Sequence, residues 1–409
     1  MGAIDGHLDG VREGRVFGWA WDPRDASARV EIEVRVDGSP LGRVAAEKPR
    51  PDLREAGIGD GQHGFELEVP EPFVDGRFHR VEACHGDGRP LAGSPWRGRI
   101  GAEADEAPRF RSRFGGLWTD VSNAPEVIAG QRALGWLDPE EGALLEAWVR
   151  DGYVILRDAV DRATVDALRR GVEAVWDGGA PGVWAEVHGA DGLRFEPARP
   201  AHRRERTKLL DLHAHLDAAR RAAFARPLRR FLHRVFSRPA LAFQSLYFER
   251  GVEQPLHRDT AYVRVSSPVE MVAAWIALEP IRAGSGELEL YAGSHELPEE
   301  LFDGSKWMPR PWDQLAPQEY SAQLRRRCEA AGLRYERFIA RPGDVLIWAA
   351  DLVHGGSRDP DPALTRRSLV VHYCPTSAYP IYDGPSGPRR EHAPGCSYTF
   401  ALRGDDRTS

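Results

Sequence analysis

Three short stretches of this chain carry side chains that together can hold a redox-active metal. The first is Gln254-Pro255-Leu256-His257-Arg258-Asp259-Thr260, the second Asp351-Leu352-Val353-His354-Gly355-Gly356, and the third Thr365-Arg366-Arg367-Ser368-Leu369-Val370-Val371-His372-Tyr373. His257 and Asp259 are two apart, and on an extended strand such residues project from one face. An imidazole and a carboxylate can therefore reach a common point, where His354 would supply a second imidazole. Ferrous iron held by two histidines and one carboxylate keeps neighbouring positions open. A bidentate 2-oxo acid fills two of them and O2 the third. The far carboxylate of that acid needs a cation on a strand shortly after the distal histidine. Arg366 and Arg367 both stand there, and guanidinium suits a bidentate grip on carboxylate.

The elements that must position these residues read as β-strands. Leu241 to Phe248, Val263 to Val265, Val269 to Leu278, Leu288 to Leu290, Asp344 to Trp348 and Arg367 to Tyr373 are apolar and short, the pattern of a double-stranded β-helix of jelly-roll or cupin type. Ahead of them, Asp138 and Asp161 are N-caps for helices over 139–149 and from 162 onward, flanking the strand Gly152 to Leu156. Residues 178–204 read as irregular, and 208–235 as helical. His213, His215 and His233 in the latter are packing positions. Between Ser294 and Ile339 lies a long insertion with a helix near 317–331. Segments of this length are commonly lids or binding features, which makes Trp307, Arg310 and Trp312 candidate substrate contacts.

The first hundred residues follow a different pattern. Val30 to Val36, His63 to Val69 and His79 to Ala83 alternate apolar and polar residues, with turn signals between them. No helical period interrupts them, so a small β-sandwich is expected. Trp19 and Trp21 share one face of a strand and are read as core. The domain plan is 1–104 for the sandwich, 105–140 for a linker packing on the next domain, and 141–409 for the metal-binding barrel.

The region from about 143 to 382 resembles the phytanoyl-CoA dioxygenase family of Fe(II)- and 2-oxoglutarate-dependent oxygenases. Besides the three stretches above, the likeness rests on Asp151-Gly152-Tyr153-Val154-Ile155-Leu156-Arg157-Asp158, Trp275-Ile276-Ala277-Leu278, Gly286-Glu287-Leu288, Ala292-Gly293-Ser294-His295 and Pro342-Gly343-Asp344. The resemblance implies Fe(II), 2-oxoglutarate and O2, with His257, Asp259 and His354 as metal ligands. It selects Arg366 over Arg367 as the 2-oxoglutarate anchor and implies cosubstrate contacts from Ser368, Gln244 and Trp275. Related iron halogenases have a small residue where this chain has Asp259, so hydroxylation of a small molecule (a sugar, lipid or specialised metabolite) is the implied reaction. The competing reading is a cupin-type metal protein that is non-catalytic or needs no 2-oxo acid. The N-terminal segment resembles small accessory β-domains of bacterial surface-glycan enzymes, on Gly18-Trp19-Ala20-Trp21-Asp22, Arg50-Pro51-Asp52-Leu53 and Gly64-Phe65. That likeness implies a glycan or protein partner for it.

Composition narrows the remaining classes. The net charge of −7 gives no reason to expect nucleic acid or an anionic membrane as partner. Lysine occurs only at positions 48, 208 and 306, the arginine-for-lysine usage of a GC-rich bacterium. The four cysteines show no CxxC spacing, so neither a disulfide framework nor a zinc site is expected, although His372 and Cys374, followed by His392 and Cys396, are spaced so that a second metal site is conceivable. With no basic-then-apolar start and no long apolar run, a cytoplasmic enzyme is the expectation.

Overall fold

The computed structural model describes residues 5–101, 109–180, 182–189, 192–251, 254–309, 315–357 and 361–403. Two compact units divide the chain: Met1–Pro108 with Ala129–Trp136, and Arg109–Ile128 with Leu137–Ser409. The expected 105–140 connector is thus shared between the units.

In the first unit, β1 (Asp5–Arg12), β2 (Arg15–Trp21) and β5 (Gly64–Glu68) form one sheet. The other contains β3 (Glu31–Val36), β4 (Ser39–Ala45), β6 (Phe78–His85) and β7 (Trp96–Arg99). Alternate residues of β3 and β6 are buried, as their period-two pattern requires. Two expectations are corrected here. Pro51–Glu55 is a short helix, α1, in a segment read as free of helix. Trp19 and Trp21 lie on the half-exposed face of β2, and Val16, Gly18 and Ala20 are the residues that face the core. The cause is close packing: a Cβ on Gly18 would lie 2.3 Å from the His7 carbonyl oxygen and 2.7 Å from the Phe65 ring. Only small side chains fit inward at that point, and the indoles take the other side.

The second unit is a double-stranded β-helix with helices packed on one face. After α2 (Ala124–Ala133), α3 (Pro139–Asp151) and α4 (Arg162–Trp176) are capped by Asp138 and Asp161, each side chain accepting the N3 amide hydrogen at 2.8 Å. They flank β8 (Tyr153–Leu156). Then come β9 (Trp184–Gly189), β10 (Gly192–Pro197), β11 (Arg206–Leu210), α5 (Leu212–His215), α6 (Asp217–Ala223), α7 (Arg226–Phe236) and β12 (Ala240–Phe248). The remainder is β13 (Val272–Ala277), β14 (Leu288–Tyr291), α8 (Leu315–Ala330), β15 (Tyr335–Phe338), β16 (Val345–Ala349), β17 (His354–Gly356), β18 (Ser368–Pro375), β19 (Arg390–Ala393) and β20 (Cys396–Tyr398). The major sheet runs β10-β9-β11-β12-β18-β13-β16-β8 and the minor sheet β15-β14-β17.

The pleat sorts each strand's side chains between two cores. Ala274, Ile276, Ile347, Leu369 and Val371 face outward onto α3, α4 and α7. Phe248, Ala273, Trp275, Leu346, Trp348 and Val370 face inward, against Leu288, Leu290 and Phe338 of the minor sheet. A bulge in β12 between Ala242 and Gln244 resets its alternation, so Gln244 joins Leu246 and Phe248 on the inner side.

Three further expectations change. Residues 184–197, read as irregular, form the β9–β10 hairpin that extends the major sheet. Residues 206–210 form β11, and the helical stretch read as starting at 208 is three shorter helices. Val263 to Val265 is no strand; Val265 makes a single bridge to Pro380.

Candidate metal centre

The backbone brings the two histidines together before any metal is considered. His257 and His354 form an antiparallel bridge, exchanging main-chain hydrogen bonds of 2.9 and 3.0 Å. Gly355 permits that approach, because a Cβ there would lie 2.7 Å from the Gln254 carbonyl oxygen. The imidazole centroids are 4.4 Å apart. Asp259 does not sit on a strand, contrary to expectation; it opens a 3₁₀ turn, Asp259–Ala261. Arg258 is nevertheless extended, at φ −108° and ψ 137°, so Asp259 still projects to the same side as His257. Arg258 points away and donates to the Ser294 carbonyl at 3.0 Å.

The ligand atoms are preset. His257 Nδ1 lies 2.9 Å from the Pro255 carbonyl oxygen and His354 Nδ1 3.0 Å from that of Leu352. Carbonyl oxygens only accept, so each Nδ1 carries the proton and each Nε2 offers its lone pair. Both Nε2 atoms are 3.6 Å from Asp259 Oδ1. Burial holds the His354 imidazole at about 4 despite the opposing charge of Asp259, so it is neutral and able to ligate at pH 7. Burial pushes the Asp259 carboxyl up, but His354, His372 and His257 outweigh it and hold it well below the usual range. Among the described residues this is the one cluster of His, Cys, Asp and Glu side chains able to hold a metal ion, with its ligand atoms all within 4.8 Å of one another. His372, Cys374, His392 and Cys396 form no second set there.

The arginine pair divides. Arg366 is buried, 4% exposed, with Nη1 donating to the Gly286 carbonyl at 2.6 Å and its guanidinium carbon 4.9 Å from the Phe248 ring centroid. Its Nε has no hydrogen-bond partner, and the side chain makes no ion pair with a carboxylate among the described residues. Burial lowers it to about 10, with Glu287 opposing, so it stays cationic. Arg367 instead donates to Glu249 from Nε and Nη2 at 3.1 and 2.9 Å. Ser368 is fully buried, one pleat from Arg366, and its hydroxyl reaches the Arg366 carbonyl at 3.3 Å. Trp275 lies in the inner core with its indole N–H unpartnered, and Gln244 is half-buried on the same inner face. Trp307 is half-buried under Arg264; Arg310 and Trp312 lie outside the described residues.

The family model for phytanoyl-CoA dioxygenase matches residues 148–360, a span containing all three candidate metal ligands. The chain belongs to the phytanoyl-CoA dioxygenase family. It is similar to the dioxygenase cdmA of Talaromyces verruculosus, 28% identical over 251 residues, covering 58% of this chain and 73% of that protein. Among solved structures, the epimerase SnoN in complex with Fe3+, alpha ketoglutarate and nogalamycin RO is 18% identical, covering 66% of this chain and 98% of that one, with a TM-score of 0.45. EctD from S. alaskensis with 2-oxoglutarate and 5-hydroxyectoine is 21% identical, covering 68% and 86%, with a TM-score of 0.44.

This member of the phytanoyl-CoA dioxygenase family is therefore a dioxygenase that uses Fe(II), 2-oxoglutarate and O2. The donor set fits that use: two imidazole Nε2 lone pairs and a carboxylate oxygen, buried, beside a buried guanidinium with an unpaired N–H. Among the described residues no helix is long and apolar enough to cross a membrane.

Two contacts of Asp259 at the dioxygenase site went unread in the sequence. Trp348 donates its indole N–H to Asp259 Oδ2 at 2.8 Å. His372 brings its Nε2 to 3.5 Å from the same oxygen. The available signal was the six-residue step from Arg366, which puts His372 on the inner face of one strand.

A buried ion pair braces the metal loop of the dioxygenase from behind. Thr260 donates to Asp351 Oδ1 at 2.6 Å, and Lys306, 2% exposed, pairs with the other Asp351 oxygen and lies 3.3 Å from Glu299. Lys306→Met strands the Asp351 charge, and breaking a buried pair costs about 3–5 kcal/mol. The expected result is that loss in urea unfolding of the metal-free protein; a change below about 1 kcal/mol would show that water compensates the site.

Proposed function

We propose that the protein hydroxylates an unactivated C–H bond of a small organic molecule, with one oxygen atom of O2 going to the product and the other to succinate as 2-oxoglutarate loses CO2. The convergence of His257 Nε2, His354 Nε2 and Asp259 Oδ1 beside an unpaired, buried Arg366 carries this reading. Bound Fe(II) supplies the O2 activation and the oxidising power for C–H cleavage.

The chain's own residues supply geometry and a dry setting. His257, Asp259 and His354 would hold the metal, a set of three protein ligands that leaves room for cosubstrate and O2. Arg366 pairs with the remote carboxylate of 2-oxoglutarate, whose charge compensates a guanidinium that burial otherwise penalises. Ser368, one pleat along, adds a hydroxyl. Gln244 and Trp275 would supply an amide and an indole N–H on the same inner wall, where the Trp275 N–H otherwise lacks a partner. The apolar side chains of the inner core exclude water around them. The intact carboxylate at 259 favours oxygen transfer over halide transfer. A sugar, lipid or specialised metabolite is the substrate class.

Turnover under ¹⁸O₂ tests the proposal. The enzyme is incubated with Fe(II), 2-oxoglutarate and pooled small molecules. Succinate should form in step with a product one oxygen atom heavier, each carrying one label. A product that loses two hydrogens without gaining oxygen would replace hydroxylation with desaturation or cyclisation.

A further inference from the structure

We infer that His372 is a positioning residue which, together with Trp348, holds Asp259 Oδ2 away from the metal so that Asp259 ligates through Oδ1 alone. The inference rests on the metal-site reading given above.

The two carboxylate oxygens of Asp259 have different surroundings. Oδ1 faces the ligand nitrogens of His257 and His354, 3.6 Å from each. Oδ2 faces the indole N–H of Trp348 at 2.8 Å and His372 Nε2 at 3.5 Å. Sheet register explains why both rings arrive there. His372 of β18 pairs with Ala273 of β13, and Ala273 pairs with Trp348 of β16, so the three form one row across the inner wall. Directly opposed residues project from the same face, with Cβ atoms about 5 Å apart. Ala273 is the small member between the two large rings.

His372 is 3% exposed, its ring centroid lies 6.1 Å from that of Phe243, and among the described residues neither ring nitrogen has a hydrogen-bond partner. A buried imidazole is retained at a cost unless something satisfies it. With a proton on Nε2, the ring would turn its positive edge towards Oδ2 from 3.5 Å, on a side that the indole of Trp348 does not cover. Chelation through both oxygens would take one of the positions that cosubstrate and O2 require; the indole donor and the imidazole edge beside Oδ2 disfavour it. Groups of this kind behind a ligating carboxylate typically change metal affinity 10–100-fold when removed.

The test compares wild type, His372→Phe, His372→Gln and Trp348→Phe, each first checked for folding as metal-free protein by circular dichroism. Anaerobic Fe(II) titration in the presence of 2-oxoglutarate then reads affinity and the visible charge-transfer band. His372→Phe should bind Fe(II) about 10–100-fold more weakly with a shifted band, whereas His372→Gln, which keeps an N–H donor, should lie close to wild type. Trp348→Phe should shift the band in the same direction as His372→Phe, and it decides the matter if His372→Phe does not fold. Wild-type affinity and band in the Phe variants would overturn the inference, as would a Gln variant as weak as Phe. If wild type itself shows no band, the metal-site reading fails instead.

Discussion

Replacing His354 with alanine should leave a folded protein that binds no iron at micromolar concentration and turns over more slowly by on the order of a thousandfold, about 4 kcal/mol in barrier. Folding should survive because the bridge between positions 257 and 354 is made by main-chain hydrogen bonds, which alanine keeps. The ligand is lost outright: the remaining imidazole and carboxylate leave too few donors to hold Fe(II) against water. Anaerobic Fe(II) titration and succinate release read the two effects separately. Turnover within tenfold of wild type, with binding intact, would remove His354 from the metal set and with it the reading of the whole site.

The adjacent arginines should respond in opposite ways. Arg366→Ala should raise the 2-oxoglutarate concentration needed for half-maximal rate by about 30- to 5000-fold, since removing one member of a buried charge pair costs about 2–5 kcal/mol. Arg367→Ala should leave that requirement unchanged. Its guanidinium serves Glu249, which also accepts from Tyr247 at 2.6 Å and from Arg203 at 3.0 Å. The expected cost there is stability, about 1–3 kcal/mol, because the other donors still satisfy Glu249. Succinate formation against 2-oxoglutarate concentration, paired with thermal melts, separates the two. An exchange of phenotypes would shift the inner face of β18 by one residue.

The ligand set and its strands were legible because strong local signals coincide: His-x-Asp, a Pro-Gly-Asp turn and apolar runs of strand length. That turn serves packing directly, since Gly343 adopts φ +91° and a Cβ on it would lie 2.4 Å from the Val160 carbonyl oxygen. What failed depended on partners distant in sequence. The alternation in β9 and β11 is visible only once Ala185, Val187 and Leu209 are known to face the helices, and charged Glu186, His188 and Lys208 mask it. Trp19 and Trp21 were misread because composition alone cannot tell which side of β2 the Phe65 ring occupies. Trp348 and His372 escaped notice because their shared target, Asp259, lies far from both along the chain and meets them only through strand register.

The brace at Lys306 also bears on motion. A movement that carried this ammonium group off Asp351 would strand a carboxylate in low dielectric, and at about 3–5 kcal/mol such a state is visited between roughly one part in a hundred and one in several thousand. The stretch around Lys306 therefore stays closed on Asp351 in all but a small fraction of molecules at any moment, so the wall behind the metal loop is one of the settled parts of the barrel.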